Sequence, residues 1–318
     1  MTDQSYVLVI GSSNMDLNIY SERFPQPGET VTGGMFKQFL GGKGANQAVA
    51  AARSGASTIF IGKIGMDKFG DQMITQLQAE GINTTYMIRD SDKASGVAFI
   101  LINKEGENMI SVAPGANANL SPDDIEDHKE IIRNAGALIT QMEIPTETIE
   151  RIYDIAGEGK VIKILNPAPL KAIPHSILEL IDIIIPNEGE LYRLHELLDL
   201  GKITQNSMDS ILRASQDIAD LGVNIILTTL GKKGSFYFNA KNGDKQLIPA
   251  PKVKAVDTVG AGDCYNGVLA SQLTQGKPLR EAIKYATAAA AIAVTRKGAQ
   301  KSMPLLDEIK EKIKNFKF

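Results

Sequence analysis

Short apolar runs rich in Ile, Val and Leu recur along the chain at 7–10, 59–61, 137–139, 161–165, 181–185 and 225–227. Their length and lack of polar alternation are those of strands covered on both faces. Between most of them the apolar positions take a helical spacing, as at Ala45, Ala48, Val49 and Ala52, or at Ile211, Ile218 and Leu221. That spacing buries one stripe of a helix. Strand and helix therefore alternate, which predicts an α/β fold: a doubly wound, mostly parallel sheet with helices on both faces. Local signals agree. Ser121-Pro122-Asp123-Asp124 offers an N-cap, a proline at the first helical position and acids for the first turn. A last helix after Pro304 is expected to carry Leu305, Ile309, Ile313 and Phe316 on one stripe.

Two stretches break the alternation. Residues 17–40 hold Pro25, Pro27 and Gly28 between short extended pieces, and 96–112 read as strand, Asn-Lys-Glu-Gly turn, strand. Together they predict a small β appendage within one folding unit, the α/β domain being made of 1–16, 41–95 and 113–318. Across 96–102 both alternate faces are apolar, Val97, Phe99 and Leu101 against Ala98, Ile100 and Ile102. Such a strand is either buried in its own domain, or it covers a ligand with one face and meets a partner subunit with the other.

Composition narrows the function more than the fold. The 318 residues are 22% charged with a net charge of −3, which leaves no broad basic field for nucleic acid. The longest apolar stretch, 286–294, is far short of the ~20 residues that cross a bilayer, so no membrane partner is expected. The single Cys264 excludes an intramolecular disulfide, and the leading residues lack a charged and apolar secretory pattern; both set a cytoplasmic expectation. His128, His175 and His195 stand apart, without the spacing of a metal site.

Polar residues gather after the predicted strands: Gly11, Asn14 and Asp16; Gln141 and Glu143; Asn166; Asn187 and Glu190; Thr229 and Gly231. In a doubly wound sheet the carboxyl ends of strands open the ligand crevice, so these residues are expected to converge. Two glycine-rich segments refine the site. Gly41-Gly42-Lys43-Gly44-Ala45-Asn46-Gln47 opens a helix near residue 44, where free backbone N–H groups, Lys43 and Asn46 would face a polyol or an anion. Asp257-Thr258-Val259-Gly260-Ala261-Gly262-Asp263 opens another that runs to about Gln275, and its glycines let successive N–H groups form an anion hole. A carboxylate at Asp263 would repel that anion, so it reads as a base that takes a proton from an attacking hydroxyl. Neither segment satisfies G-x-x-x-x-G-K-[ST] or G-x-G-x-x-G, which removes support for a P-loop NTPase or a dinucleotide dehydrogenase. Cys264, in the first turn, is either a thiol acidified by the helix dipole or, as favoured, a small buried residue.

In order along the chain, these motifs resemble the ribokinase-like (pfkB) carbohydrate kinase family, over about 6–305. They are Gly11 with Asn14 and Asp16, GGKGANQA at 41–48, NPAP at 166–169, PNEGE at 186–190, TLG at 229–231, DTVGAGD at 257–263 and AVTRKGAQ at 293–300. GAGD is common to the wider family, whereas GGKGANQA and RKGAQ look like its ribose-phosphorylating branch. The resemblance implies ATP-dependent phosphorylation of the 5-hydroxyl of D-ribose. Asp263 would be the base, and the amides of Gly260, Ala261 and Gly262 the anion hole. Sugar hydroxyls would be held by Asn14, Asp16, Gly42, Lys43, Asn46 and Glu143. ATP would lie over Asn187, Thr229, Leu230, Gly231, Gly234, Gly262 and Thr287, with Glu190 organising Mg²⁺ through water. A monovalent cation, K⁺ or similar, is implied at Asp257, Val259, Ala293, Arg296, Gly298 and Ser302. The β appendage at 17–40 and 96–112 is implied to be a β-sheet lid of the catalytic domain that closes over the sugar and pairs two subunits as a homodimer. Thr287 and Cys264 depart from common family choices. The alternatives are a kinase of deoxyribose, a fructose-like sugar or adenosine, and a sugar-binding protein without catalysis.

Overall fold

A computed structural model describes residues 5–318; residues 1–4, part of the predicted segment 1–16, lie outside the described residues. In chain order the strands are β1 (Tyr6–Ile10), β2 (Asn14–Tyr20), β3 (Met35–Gly41), β4 (Ser57–Ile61), β5 (Lys63–Gly65), β6 (Ile88–Asp90) and β7 (Gly96–Ile102). They continue with β8 (Asn108–Ala113), β9 (Ala137–Gln141), β10 (Ile162–Asn166), β11 (Ile183–Ile184), β12 (Ile225–Thr229), β13 (Ser235–Asn239) and β14 (Lys245–Ile248). An eight-stranded sheet has the order β14-β13-β12-β11-β10-β9-β1-β4, parallel from β12 to β4. A second sheet, β3-β2-β7-β8, stands apart, and β5 pairs with β6.

Consecutive apolar residues give each central strand two buried faces. On β1, Leu8 and Ile10 belong to the core on one face of the sheet, shared with the helices Thr146–Gly157, Glu188–Leu197 and Met208–Ala219, while Val7 and Val9 belong to the core on the other, shared with Lys43–Arg53, Ala261–Thr274 and Leu279–Ala293. Ser121 caps its helix as its sequence predicts, in a reciprocal pair with Asp124. No helix among the described residues is long and apolar enough to cross a membrane.

Three details differ from the sequence expectation. Strands β13 and β14 add an antiparallel hairpin to the sheet edge, turning at Asn242-Gly243 with Gly243 at φ +72°, a local signal that the search for parallel units passes over. The last helix spans Leu306–Lys314, so Leu305 is its exposed N-cap and Phe316 lies beyond its end, leaving Ile309 as the fully buried member of the predicted stripe. Strand β7 is only partly buried: Ala98 is 6% exposed and Val97 packs on a small apolar cluster, but Phe99 is 54% exposed, and Met35, Phe36, Met109, Ile110 and Val112 of the same sheet are exposed too.

The feature that positions the site is a close helix pair. Helix Lys43–Arg53 is alanine-rich on its buried side, and it meets helix Ala261–Thr274 at Gly267. A Cβ there would stand 2.2 Å from the Gln47 carbonyl oxygen and 2.7 Å from Ala50 Cβ. Only glycine permits this approach, which brings Asn46 and Gln47 level with Asp263 one turn earlier. Gly267→Ala should therefore destabilise the fold by about 1–3 kcal/mol, the range for overpacking a tight core, read as a lower urea midpoint. An unchanged midpoint would show that the two helices can part at no cost.

Candidate active site

The turn after β1 is pressed against the start of helix Lys43–Arg53. Gly42 is the N-cap at φ +87°, and a Cβ on it would lie 2.7 Å from Ser13 Cα. The first-turn amides of this helix do not face open space as the sequence suggests. Lys43 N donates to Glu143 Oε2 at 3.0 Å, Gly44 N to Ser12 Oγ at 3.4 Å and Ala45 N to Ser12 O at 2.9 Å, while the Ser12 hydroxyl donates to Glu143. Glu143, from the loop after β9, thus caps the helix, and what the segment offers a ligand is side chains. Asn14 is buried and its Oδ1 accepts from Asn117 Nδ2 at 2.8 Å.

Asp263 is 7% exposed and lies in the first turn of helix Ala261–Thr274. Asn46 Nδ2 donates to its Oδ2 at 3.0 Å and Gln47 Nε2 to its Oδ1 at 3.0 Å, so each oxygen has its own amide. Gln47 is itself oriented: its Oε1 accepts from Gln141 Nε2 at 2.7 Å, and its Nε2 is shared with Asn166 Oδ1 at 3.1 Å. A chain of buried amides thus runs from the ends of β9 and β10 to the carboxylate. Asn46 Oδ1 and, one turn past Asp263, Asn266 Oδ1 are buried without a partner among the described residues, and both are acceptors suited to hydroxyl donors.

Burial raises the Asp263 carboxyl above its ordinary value, against the lowering effects of Lys43 and the two amides. Asp16 is pushed up to about 7, first by burial and then by the carboxylates of Glu143 and Asp263. It is pressed onto Gly41, where a Cβ would lie 2.2 Å from its Oδ2. Burial alone would lower the Lys43 ammonium, but Asp263, Glu143 and Glu190 outweigh it and hold it charged. Lys43 therefore sits among three carboxylates, an acidic surplus that polyphosphate oxygens enter only with added cations.

Two cavities meet here. One of about 220 Å³ is walled by Lys43, Asn187, Glu190, Gly260, Gly262 and Asp263, among others. A neighbour of about 630 Å³ is walled by Gly231, Gly234, Pro251, Val253, Thr287 and Ala290, among others. Thr229, Thr258 and Gly262 line both, so the two communicate at the start of helix Ala261–Thr274. Leu230 lines neither and is buried in the core instead. Asn187 and Glu190 cap one helix reciprocally, at 2.8 Å each way. Gly260 is the N-cap at φ +73°, and a Cβ on Gly262 would meet nothing within 4 Å, so the first turn is open above it. The Ala261 amide, however, already donates to Thr258 O at 3.3 Å, which leaves those of Gly260 and Gly262 as better candidates for an anion. Cys264 is fully buried and burial pushes its thiol up to about 12, so the dipole does not acidify it.

The segment after helix Leu279–Ala293 backs this turn. Asp257 accepts from Val259 N at 3.0 Å and from Gly298 N at 2.9 Å, Ala293 O accepts from Arg296 N at 3.0 Å, and Ser302 is buried with its hydroxyl on Ala299 O at 2.7 Å. The Arg296 side chain is turned away to Glu308. What this loop can offer an ion is oxygen from carbonyls and one carboxylate. No group of three or more His, Cys, Asp and Glu among the described residues could hold a metal. The lone Glu190 carboxylate does fit Mg²⁺, which keeps waters and takes phosphate oxygens.

The model of the pfkB family of carbohydrate kinases matches residues 4–306. The chain belongs to this family. A ribokinase of Staphylococcus aureus is 41% identical over 307 residues, 96% of this chain and 98% of that one. A solved ribokinase from Thermotoga maritima shares 37% identity with a TM-score of 0.90, over 98% of this chain and 100% of that one. An Arabidopsis thaliana ribokinase solved with ribose and ATP has a TM-score of 0.91 at 32% identity, over 98% and 99%. Family membership accounts for the fold, including the separate small sheet.

The sequence assigns no site role to Ser12, Gln47, Asn117 or Asn266, and only a place at the converging strand ends to Gln141 and Asn166. Three of them, Gln47, Gln141 and Asn166, stood in motifs or at strand ends, where a buried amide is the signal. Nothing local marks Ser12 or Asn117, whose partners are distant in sequence. A raised carboxyl pKa favours folding below its unfolded value, and that advantage fades as pH rises towards the folded value. Asp16 should therefore cost stability between about pH 4 and pH 7, and Asp16→Asn should stabilise the protein more at pH 8 than at pH 5, by roughly 1–3 kcal/mol. Denaturation at the two pH values reads this; an equal gain at both would remove Asp16 as a buried, titrating group.

Proposed function

We propose that the chain is an ATP-dependent ribokinase that transfers the γ-phosphoryl group to the 5-hydroxyl of D-ribose. The observation that carries this reading is the Asp263 carboxylate, held by Asn46 and Gln47 beside the open first turn where the two cavities meet. Its raised pKa makes it a stronger base than an exposed carboxylate, while its two amides fix the direction in which it accepts a proton. The smaller cavity suits the transferring phosphoryl group: of the implied sugar residues only Lys43 and Asp263 line it, so the sugar would lie beside it. Asn14, Asp16, Lys43, Asn46 and Glu143 supply donors and acceptors for a polyol, whose hydroxyls each do both. The larger cavity, with its apolar wall, takes the nucleotide.

In this reading the hydroxyl loses its proton to Asp263 as its oxygen attacks phosphorus, and ADP leaves. The amides of Gly260 and Gly262, with Lys43, stabilise the developing charge. Glu190 would organise Mg²⁺ through water, and the ion bound with ATP would neutralise phosphate charge. K⁺ or a similar ion would be held by the loop oxygens of Asp257, Val259, Ala293, Arg296, Gly298 and Ser302, and those residues order the turn that carries Gly260. Segments 17–40 and 96–112 act as the lid, which excludes water. Their exposed apolar residues suit a homodimer formed through that sheet. The enzyme works in the cytoplasm.

The test is ADP release with ATP and Mg²⁺ across D-ribose, 2-deoxyribose, fructose and adenosine. D-ribose should give the highest kcat/KM, and Asp263→Asn should lose ~10²- to 10⁴-fold in kcat, as for a removed general base, while calorimetry still records D-ribose binding. Preference for another sugar would overturn the substrate, and near-normal kcat in Asp263→Asn would overturn the mechanism.

A further inference from the structure

Helix Lys43–Arg53 begins at the sugar side of the site and ends on Arg53, whose guanidinium is engaged on every side. Its Nε and Nη2 fork onto Glu80 at 2.7 and 2.6 Å, and its Nη1 donates to the carbonyls of Gln300 at 2.8 Å and Met303 at 2.9 Å. The pair is shielded, with side chains only 20% and 15% exposed. The loop that Arg53 grips is the one behind the proposed anion hole: a Cβ on Gly260 would lie 2.9 Å from Ala299 Cβ and 3.0 Å from its Cα. On its other side, residues 298–301 front a cavity of about 500 Å³ facing β3 and helix Lys68–Ala79, spanned by the Lys301 ammonium 5.5 Å from the centre of the Phe39 ring. Its other ties include the Gly298 amide on Asp257, the Arg296–Glu308 pair and the Met303 side chain in the core.

We propose that Arg53 is a positioning residue for phosphoryl transfer. By fixing Gln300 and Met303 it seats Ala299 against Gly260, and so sets where the Gly260 and Gly262 amides point. One rigid helix then carries Lys43, Asn46 and Gln47 at its start and holds the anion-hole loop at its end, which keeps base and amides in register. Glu80 orients the guanidinium. Lysine cannot substitute, because a point ammonium does not span a carboxylate and two carbonyls at once. Arg53 lines neither site cavity, so its effect falls on turnover rather than on sugar binding.

This inference rests on the kinase reading above, and its test includes a measurement that needs no turnover. Amide hydrogen exchange and D-ribose kinetics are compared in the wild type, Arg53→Met, Arg53→Lys and Glu80→Gln. In Arg53→Met, exchange at 257–262 and 298–303 should rise ~10-fold or more above any change elsewhere, with kcat down by ~10-fold or more, the scale expected of a slightly misplaced catalytic group. KM for D-ribose should stay within about threefold. Arg53→Lys should lie between wild type and Arg53→Met, and Glu80→Gln should show the same local pattern more weakly. Exchange that rises equally across the chain, or an unchanged kcat in folded Arg53→Met, would overturn the proposal. If Arg53→Met does not fold, Arg53→Lys and Glu80→Gln decide by the same criteria. A wild type inactive on D-ribose would refute the kinase reading, while exchange would still judge whether Arg53 orders the loop.

Discussion

The structure turns on one buried carboxylate and the two amides that hold it. Asp263 is drawn out of water at the start of a helix, and each of its oxygens accepts from one side chain of a second helix, Asn46 and Gln47. Burial raises its affinity for a proton, and the amides keep it oriented while limiting that rise. Neither effect alone makes a useful base. An exposed carboxylate would be too weak, and a buried one without partners would be protonated and free to turn.

Much of the remaining architecture serves that arrangement. Two helices must approach until a glycine meets backbone, which the small side chains of Lys43–Arg53 and Gly267 allow. The sheet supplies the next layer, since Gln141 and Asn166 stand at the carboxyl ends of β9 and β10 and fix Gln47. Electrostatics ties the layers together. Lys43 is held charged by Asp263, Glu143 and Glu190, and Glu143 and Asp263 help raise Asp16.

Much of this was legible in the sequence, for definite reasons. The parallel sheet follows from consecutive apolar residues, and the strand ends follow from where those runs stop. Asp263 was visible because a carboxylate directly after GAG needs a reason other than binding an anion. Other features were hidden because they arise from contacts between distant segments. Glu143 reads as a ligand of sugar hydroxyls, yet it also caps helix Lys43–Arg53 through Lys43 N and Ser12, which no spacing reveals. Ala261 reads as part of the anion hole until the Thr258 carbonyl is seen to take its amide. Leu305 fits a helical stripe by count, but the helix starts after it. Arg53 ends an ordinary amphipathic pattern, and its partners at Glu80, Gln300 and Met303 appear only in three dimensions.

The most direct test of the account is the acid limb of kcat/KM for D-ribose in the wild type and in Gln47→Leu. Gln47 donates to the charged form of Asp263, so its loss should raise the Asp263 pKa further and move the acid limb to higher pH, with about unit slope. An acid limb at the same pH in both proteins would contradict the claim that this carboxylate, tuned by its amides, is the base.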